Sequence, residues 1–443
     1  MDMYNYFRVL YYLVSMMRRA YWSRDRLLDY QNKKVREIVK YAYDNVSFYH
    51  EKFDLFGLKP SDVTTVTDLN KLPILTKDEM RENLEKMVSK EFDVGCLRRV
   101  STSGSTGQPI SISISRREDE FRKAKHLRAN ISCGQKPRDR WVVIVTPQHQ
   151  EEVSWLQRIL RIYALTPLSV FDDPLAQVSA LEKLRPDVLD GYSSSLLLIA
   201  KEAEKRGVRA IKPRLIIGGA ELIERSSRQS IEEVFDAPFY DQYASIEFER
   251  MAWQCPERVG YHIDADSIVM QFVDDDGEEV APGERGEIVC TSLFNYAMPL
   301  IRYTVGDVGV ASEETDCPCG RTFPLMKVLE GRKDSLIVLP DGRILSPLVI
   351  GDGMMFYKFY RNIDQYRVIQ KKIDFFKFLV KKKNDGVDEN VMEMELLAYV
   401  RKLFNVDESE VTFEIEFVDD IPLDKTGKLM KVVSELKGRK LSI

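Results

Sequence analysis

Residues 24–50, RDRLLDYQNKKVREIVKYAYDNVSFYH, place apolar side chains at helical spacing, with Leu27, Leu28, Tyr30, Val35, Ile38, Val39 and Ala42 on one face. LPILTKDEMREN follows, in which Pro73 marks a short extended piece and Thr76 is the N-cap before an acidic first turn. The pattern then changes. WVVIVTP is a continuous apolar run that predicts a buried strand ending at Pro147. RPDVLDGYSSSLLLIAKEAEKRGV reads as strand, turn and helix, and PRLIIGGAELI starts the same order again. Strands alternating with helices over residues 95–250 predict an α/β core with a largely parallel sheet.

From about residue 260 the alternation of apolar and polar residues around Gly-containing turns, as in YHIDADSIVMQFVDDDGEEVAPGERGEIVCTSL, predicts antiparallel hairpins. A break lies near GRKDSLIVLPDGRILSP. Beyond it YRVIQKK, DFFKFLVKKK and VTFEIEFV read as strands and VMEMELLAYVRKLF as a helix, which makes a small α+β unit. The expected organisation is a large N-terminal domain over 1–332 and a small mobile lid domain over 333–443. The large domain divides into a mainly helical opening (1–95), the α/β core (96–255) and a β-rich, barrel-like part (256–332).

Composition narrows the field. With 443 residues, 44% hydrophobic and 30% charged, the chain can build a sizeable core. Its 65 Lys and Arg against 70 Asp and Glu give a net charge of −5, so no basic excess points to nucleic acid. Six irregularly spaced cysteines make no disulfide framework and fit a reducing, cytoplasmic compartment. In YFRVLYYLVSMMRRAYW the apolar run from Val9 to Met17 is too short to span a bilayer, and its charges follow the run, where a secretory signal has them in front. The first 40 residues hold nine Lys and Arg against four Asp and Glu. This basic amphipathic helix either packs on its own domain or touches a membrane or a partner. A homodimer is compatible with the sequence, which does not fix the oligomeric state.

STSGSTGQP, residues 101–109, has no apolar side chain to bury. It lies between two strand-like stretches, so its backbone N–H groups and hydroxyls can wrap the oxygens of a polyphosphate. It lacks the lysine of a Walker loop. The plain alternative is a surface turn.

TSGSTGQP resembles the phosphate-binding loop of the adenylate-forming superfamily, and further blocks follow in the family's order. IIGGAEL is similar to the segment that lies against adenine, YDQYASIEFE to the aromatic block ending in a metal-binding glutamate, and PLIRYTVGDVG to the Gly-Asp block. GRKDS resembles the hinge, and PLDKTGKLMK the C-terminal Gly-Lys block. The resemblance implies that Thr102, Ser103, Gly104, Ser105, Thr106 and Gly107 hold ATP phosphates. It places Gly219, Ala220, Glu221 and Tyr243 at the nucleotide, Asp307 and Arg332 at the ribose, and Glu247 on Mg²⁺. Asp334 becomes the hinge and Lys428 the catalytic lysine. Ile246 stands where the family has a hydroxyl residue, so that contact is either absent or supplied by Ser245.

The opening hundred residues and the chain length are similar to the phenylacetate–CoA ligase-like branch, and closest to its members associated with capsular polysaccharide biosynthesis. SPLVIGDGMM departs from the branch pattern after the hinge. The resemblance implies that a small carboxylic acid is activated with ATP and passed to coenzyme A. Other acceptors are an amine or a sugar, and the remaining alternatives are nucleotidyl transfer to a coenzyme and a non-catalytic scaffold. The polar segment TPQHQEEVSW should approach the acyl site with His149, which argues against a phenyl slot.

CPERVGYH and CPCG put Cys255, His262, Cys317 and Cys319 in two tight clusters, a Cys₃His donor set suited to a structural Zn²⁺. Between His262 and Cys317 lie 54 residues, so the fold must bring the halves together; otherwise they are unrelated clusters. Some members of the branch carry similar zinc-binding clusters.

Overall fold

The computed structural model describes residues 5–101, 110–147, 153–383, 386–423 and 428–436, with the side chains of Leu156 and Asp334 excepted. Its centre is an eleven-stranded sheet. Five parallel strands form one half, in the order Leu165–Ser169, Trp141–Val145, Val188–Tyr192, Leu215–Gly219, Phe239–Ser245. Val142, Ile144, Leu189 and Ile216 face the helices Pro174–Leu184, Ser193–Lys205 and Arg225–Phe235. Trp141, Val188, Leu215 and Ile217 pack on the opposite face beside Leu127 of the helix Arg116–Ser132. Both faces are covered, which is why these strands read as unbroken apolar runs and not as alternation.

The antiparallel half continues the same sheet without a break. Phe239–Ser245 pairs with Glu249–Gln254, then Tyr261–Ile263, Leu325–Arg332, Tyr303–Ala311, Arg285–Ser292 and Ile268–Val273 follow. The expected barrel-like part is thus an open extension: among the described residues no strand pairing closes it. It does curl, because the side chains of Tyr243 and Asp307 touch although four strand-to-strand steps separate them. In a flat sheet those steps would span about 19 Å.

Local signals explain the rest. The apolar pattern over 24–50 resolves into two helices, Arg24–Asn45 and Ser47–Leu55, because Val46 is extended (φ −126°, ψ 112°). Thr76 caps the helix Lys77–Glu82 by accepting from Glu79 N. Arg98–Ser101 and Ser111–Ile114 form an antiparallel hairpin that brackets the Ser/Thr/Gly stretch, with Ser101 opposite Ser111. Ser115 and Glu118 form a reciprocal capping box that starts the next helix. No helix among the described residues is long and apolar enough to cross a membrane.

A four-stranded sheet follows, in the order Thr412–Phe417, Phe375–Lys382, Ile363–Lys372, Val432–Ser434. Phe376, Phe378 and Phe413 from this sheet pack on Phe404 and Val400 of the helix Glu389–Phe404, forming a core separate from the large sheet's. The last strand runs parallel to Ile363–Lys372 with Val432 opposite Val368. The unit rests on the large one through Glu224, which accepts from Tyr366 Oη (2.9 Å) and Lys431 Nζ (2.5 Å). Lys201 adds a contact to Asp364.

Close backbone approach at the end of strand Leu215–Gly219 depends on two glycines. A Cβ on Gly218 would lie 1.9 Å from Phe239 Cζ, and one on Gly219 would lie 2.7 Å from the carbonyl oxygen of Gln242. Gly218→Ala should therefore destabilise the protein by about 2 kcal/mol through overpacking. Denaturant melts should show a smaller cost for the same change in a Phe239→Leu background, where the ring no longer obstructs.

Candidate active site

The parallel strands Val188–Tyr192, Leu215–Gly219 and Phe239–Ser245 end on one rim, the place where open α/β sheets bind ligands. Beyond Gly219 the chain turns sharply. Ala220 adopts φ +65°, a left-handed conformation uncommon for a residue with a Cβ. The carbonyl of Ala220 accepts a hydrogen bond from Lys428 Nζ at 2.8 Å, and the same ammonium lies 5.6 Å from the centroid of the Tyr192 ring. Glu221 accepts from the backbone N–H of Ser194 (2.8 Å) and of Leu429 (3.2 Å). Burial raises the pKa of this carboxyl despite those donors. One glutamate thus fastens the rim of the parallel sheet to the segment carrying Lys428.

The second group lies where the sheet curls over. Tyr243 donates through its hydroxyl to Asp307 Oδ2 at 2.7 Å, and Arg332 Nε lies 3.1 Å from Asp307 Oδ1. Asp307 and Arg332 are direct cross-strand partners, which sets that pair by register. Burial, reinforced by the Asp307 carboxylate, holds the Tyr243 phenol well above its ordinary pKa, so it stays a donor.

Glu247 sits in the turn between Phe239–Ser245 and Glu249–Gln254 and is 4% exposed. Tyr303 donates to its Oε1 at 2.8 Å, and burial with the Glu247 charge keeps that phenol protonated. The turn's backbone is held from outside. Arg122 donates to the Ile246 carbonyl (2.8 Å), Asn295 to that of Glu247 (3.3 Å) and Lys125 to that of Phe248 (2.9 Å). Ser245 Oγ accepts from Phe248 N at 3.1 Å and closes the turn.

The sheet also joins the two halves of the Cys/His set. Leu325 pairs with His262, which carries the connection holding Cys317 and Cys319 up to the strand end bearing Cys255. The four donor atoms lie within 4.8 Å of one another, with Cys255 Sγ 3.6 Å from Cys317 Sγ and Cys319 Sγ 3.4 Å from His262 Nε2. Four ligands around a tetrahedral zinc, with bonds of about 2.0–2.3 Å, stand about 3.5–3.8 Å apart. Burial lowers the His262 pKa to about 4, leaving the neutral imidazole that binds metal, and pushes the Cys317 thiol up to about 12.

The structure therefore brings together Gly219, Ala220, Glu221 and Lys428, then Tyr243, Asp307 and Arg332, and separately the four Cys/His residues. Thr102 to Gly107 and His149 lie outside the described residues, as does the side chain of Asp334, whose backbone belongs to a 3₁₀ turn over Lys333–Ser335. Sequence reasoning gave no role to Tyr303, Arg122 or Lys125, and placed the stretch GYSSSLL with Tyr192 only as a lining of the acyl site. The available signal was in Arg116–Ser132, a helix with charges on every face, which a solvent-exposed helix of ordinary amphipathicity does not need.

No protein-family model matches the chain. It is 28% identical over 331 residues to a phenylacetate-coenzyme A ligase of Pseudomonas putida, covering 72% of this chain and 73% of that one. It is 24% identical over 430 residues to Protein CapK of Staphylococcus aureus, covering 93% and 90%. Among solved structures, 2-hydroxyisobutyryl-CoA ligase in the postadenylation state with R3-HIB-AMP overlays with a TM-score of 0.77 at 19% identity, covering 91% and 89%. The same ligase with 2-HIB-AMP and CoA in the thioesterification state overlays at 0.64, also at 19% identity, covering 94% and 91%. With the ordered motifs, these likenesses support the resemblance to the phenylacetate–CoA ligase-like branch of the adenylate-forming superfamily, and the fold is the one 2-hydroxyisobutyryl-CoA ligase has.

Proposed function

We propose that the protein activates a small carboxylic acid with ATP and transfers the acyl group to coenzyme A. The observation that carries this reading is the placement of Lys428 Nζ on the rim of the parallel sheet at Ala220, beside Glu221. In the first step a carboxylate oxygen attacks the α-phosphorus of ATP in line and pyrophosphate leaves. Carboxylates are poor acylating agents, and the acyl-adenylate supplies a good leaving group. In the second step the thiolate of coenzyme A attacks the acyl carbon and AMP departs.

Each residue has a part that its surroundings support. Lys428 offsets the charge that develops on the α-phosphate and the entering carboxylate. Asp307, aimed by Tyr243 and Arg332, accepts from the vicinal ribose hydroxyls. Gly219 and Ala220 present backbone to the adenine, and the stretch Thr102–Gly107 wraps the outer phosphates. Glu247 would hold Mg²⁺, a hard cation suited to carboxylate oxygen, which when bound neutralises phosphate charge. Arg122 and Lys125 fix the backbone on either side of Glu247 and so orient it. A better overlay on the postadenylation than on the thioesterification state supports reading the Lys428 contact as a postadenylation arrangement. Asp334 would be the pivot between the two.

A second reading changes only the acceptor. The match to CapK runs nearly end to end, whereas that to the Pseudomonas ligase covers 72% of this chain. An amine or sugar acceptor in place of coenzyme A fits that difference.

The Cys₃His set fits Zn²⁺ in a structural role, because four protein donors leave no open position for chemistry. A bound dication reverses the penalty that burial places on the thiolates. Zinc here would tie two hairpins of the antiparallel half together, Glu249–Ile263 and Tyr303–Arg332.

Two experiments test these assignments. Acid-dependent pyrophosphate release over a panel of carboxylic acids should identify a substrate class, and Lys428→Ala should lower the rate by about a hundredfold or more. Asp307→Ala should chiefly raise KM for ATP. Release that no acid stimulates, or that survives Lys428→Ala, would overturn adenylation. For the cluster, elemental analysis of the purified protein should find about one zinc per chain. Cys317→Ala should lose that metal and lower the apparent Tm by about 5 °C or more.

A further inference from the structure

The helix Tyr6–Arg19 is apolar on two opposite faces. Val9, Leu13 and Met16 are buried against the helix Arg116–Ser132, which accounts for one face. The other carries Phe7 (87% exposed), Leu10, Tyr11 and Val14 at i, i+3, i+4 and i+7, then Arg18 one turn on. A helix that is apolar all round is normally covered on all sides. Here nothing in the described chain covers the outer stripe.

A second exposed apolar element adjoins it. Tyr6 Oη donates to Gln157 Oε1 at 3.2 Å, joining this helix to Trp155–Leu160. That short helix and the residues after it expose Trp155 (64%), Ile159 (68%), Leu160 and Ile162. Scattered exposed apolar residues need no explanation, but seven on two adjoining helices, with Ile162 just beyond, form a patch.

The charge around the patch says what it fits. Residues 5–22 contain Arg8, Arg18 and Arg19, residues 153–163 contain Arg158 and Arg161, and neither stretch contains an Asp or Glu. Glu151 and Glu152 precede the second stretch, outside the described residues. Arg8 and Arg19 pair inward with Glu120 and Asp266, whereas Arg18, Arg158 and Arg161 are exposed. This one-sign rim stands on a chain whose net charge is −5. A second copy docking by the same patch would set arginine against arginine, with no carboxylate among the described residues of these two stretches to relieve it. An anionic lipid surface matches on both counts. Its headgroups pair with the arginines, while the aromatic and aliphatic side chains enter the boundary with the acyl chains, tyrosine and tryptophan suiting the headgroup level.

We infer that the outer face of Tyr6–Arg19, together with Trp155–Leu160, is a docking surface for an anionic membrane, on which the protein sits peripherally. Adenylation would then take place beside the bilayer, within reach of an amphiphilic acid or acceptor. The inference does not depend on the adenylation chemistry, and its test does not read it.

Flotation of the full chain with vesicles of phosphatidylcholine alone, and of phosphatidylcholine with phosphatidylglycerol, tests the surface. Binding is expected only with phosphatidylglycerol and should weaken as salt rises. Phe7→Ser/Leu10→Ser/Tyr11→Ser should reduce it about tenfold or more, and so should Trp155→Ser/Ile159→Ser, with unchanged thermal melts as the control for folding. Arg18→Ser/Arg158→Ser/Arg161→Ser should remove the preference for phosphatidylglycerol. No flotation with either vesicle, or flotation that the apolar variants retain, would overturn the inference. So would a dimer in light scattering that the Phe7→Ser/Leu10→Ser/Tyr11→Ser variant dissolves while the parent fails to float, which would assign the patch to a second copy.

Discussion

The curl of the central sheet is the constraint on which the candidate site depends. Tyr243 belongs to the last parallel strand and Asp307 to an antiparallel strand four steps away, yet their side chains meet at 2.7 Å. Twist accumulates from strand to strand, and a mixed sheet of eleven strands cannot stay flat. The curvature places the antiparallel hairpins over the C-terminal ends of the parallel strands. Residues that a flat sheet would scatter along one edge thereby converge. The buried hydrogen bond between Tyr243 and Asp307 is a consequence of that curvature and also helps to fix it, since an unpaired carboxylate at 8% exposure would be costly.

The second organising feature is the set of polar contacts that attach the small unit. Glu224, Glu221 and Asp352 on one side or the other accept from Tyr366, Lys431, Leu429 and Arg225. Interfaces between units of one chain are commonly more polar than permanent ones. The unit's own core, gathered around Phe376, Phe378, Phe404 and Phe413, does not draw on the large unit.

Much of the fold was legible because local rules and tertiary demands agree. WVVIV, VLDGY and LIIGG are strands covered on both faces, and their unbroken apolar runs say so. Thr76 caps a helix where the pattern places its start, whereas the strand-like alternation before Ser115 hid the helix that Ser115 caps. The site was legible where a motif keeps its residues close in sequence, as in GGAEL and YASIE. It was not legible where residues meet only through topology. Nothing in the spacing of Tyr303 announces Glu247 as its partner, and Arg122 and Lys125 act on a turn more than 120 residues away. The helix break at Val46 was missed because the apolar period runs on across it.

The parallel pairing of Val432–Ser434 with Ile363–Lys372 has one further consequence. The strand is only three residues long, and Lys428 precedes it by four, so the lysine's reach is set by strand register. Side chains alternate along a strand, and a slip of one residue would move Lys428 by about 3.3 Å and turn buried Val432 to the opposite face. The burial of a single valine, paired with Val368, therefore acts as a ruler for an ammonium group on another part of the chain. Insertions or deletions between residues 428 and 432 would shift that ammonium from the Ala220 carbonyl while leaving Lys428 and Val432 themselves unchanged.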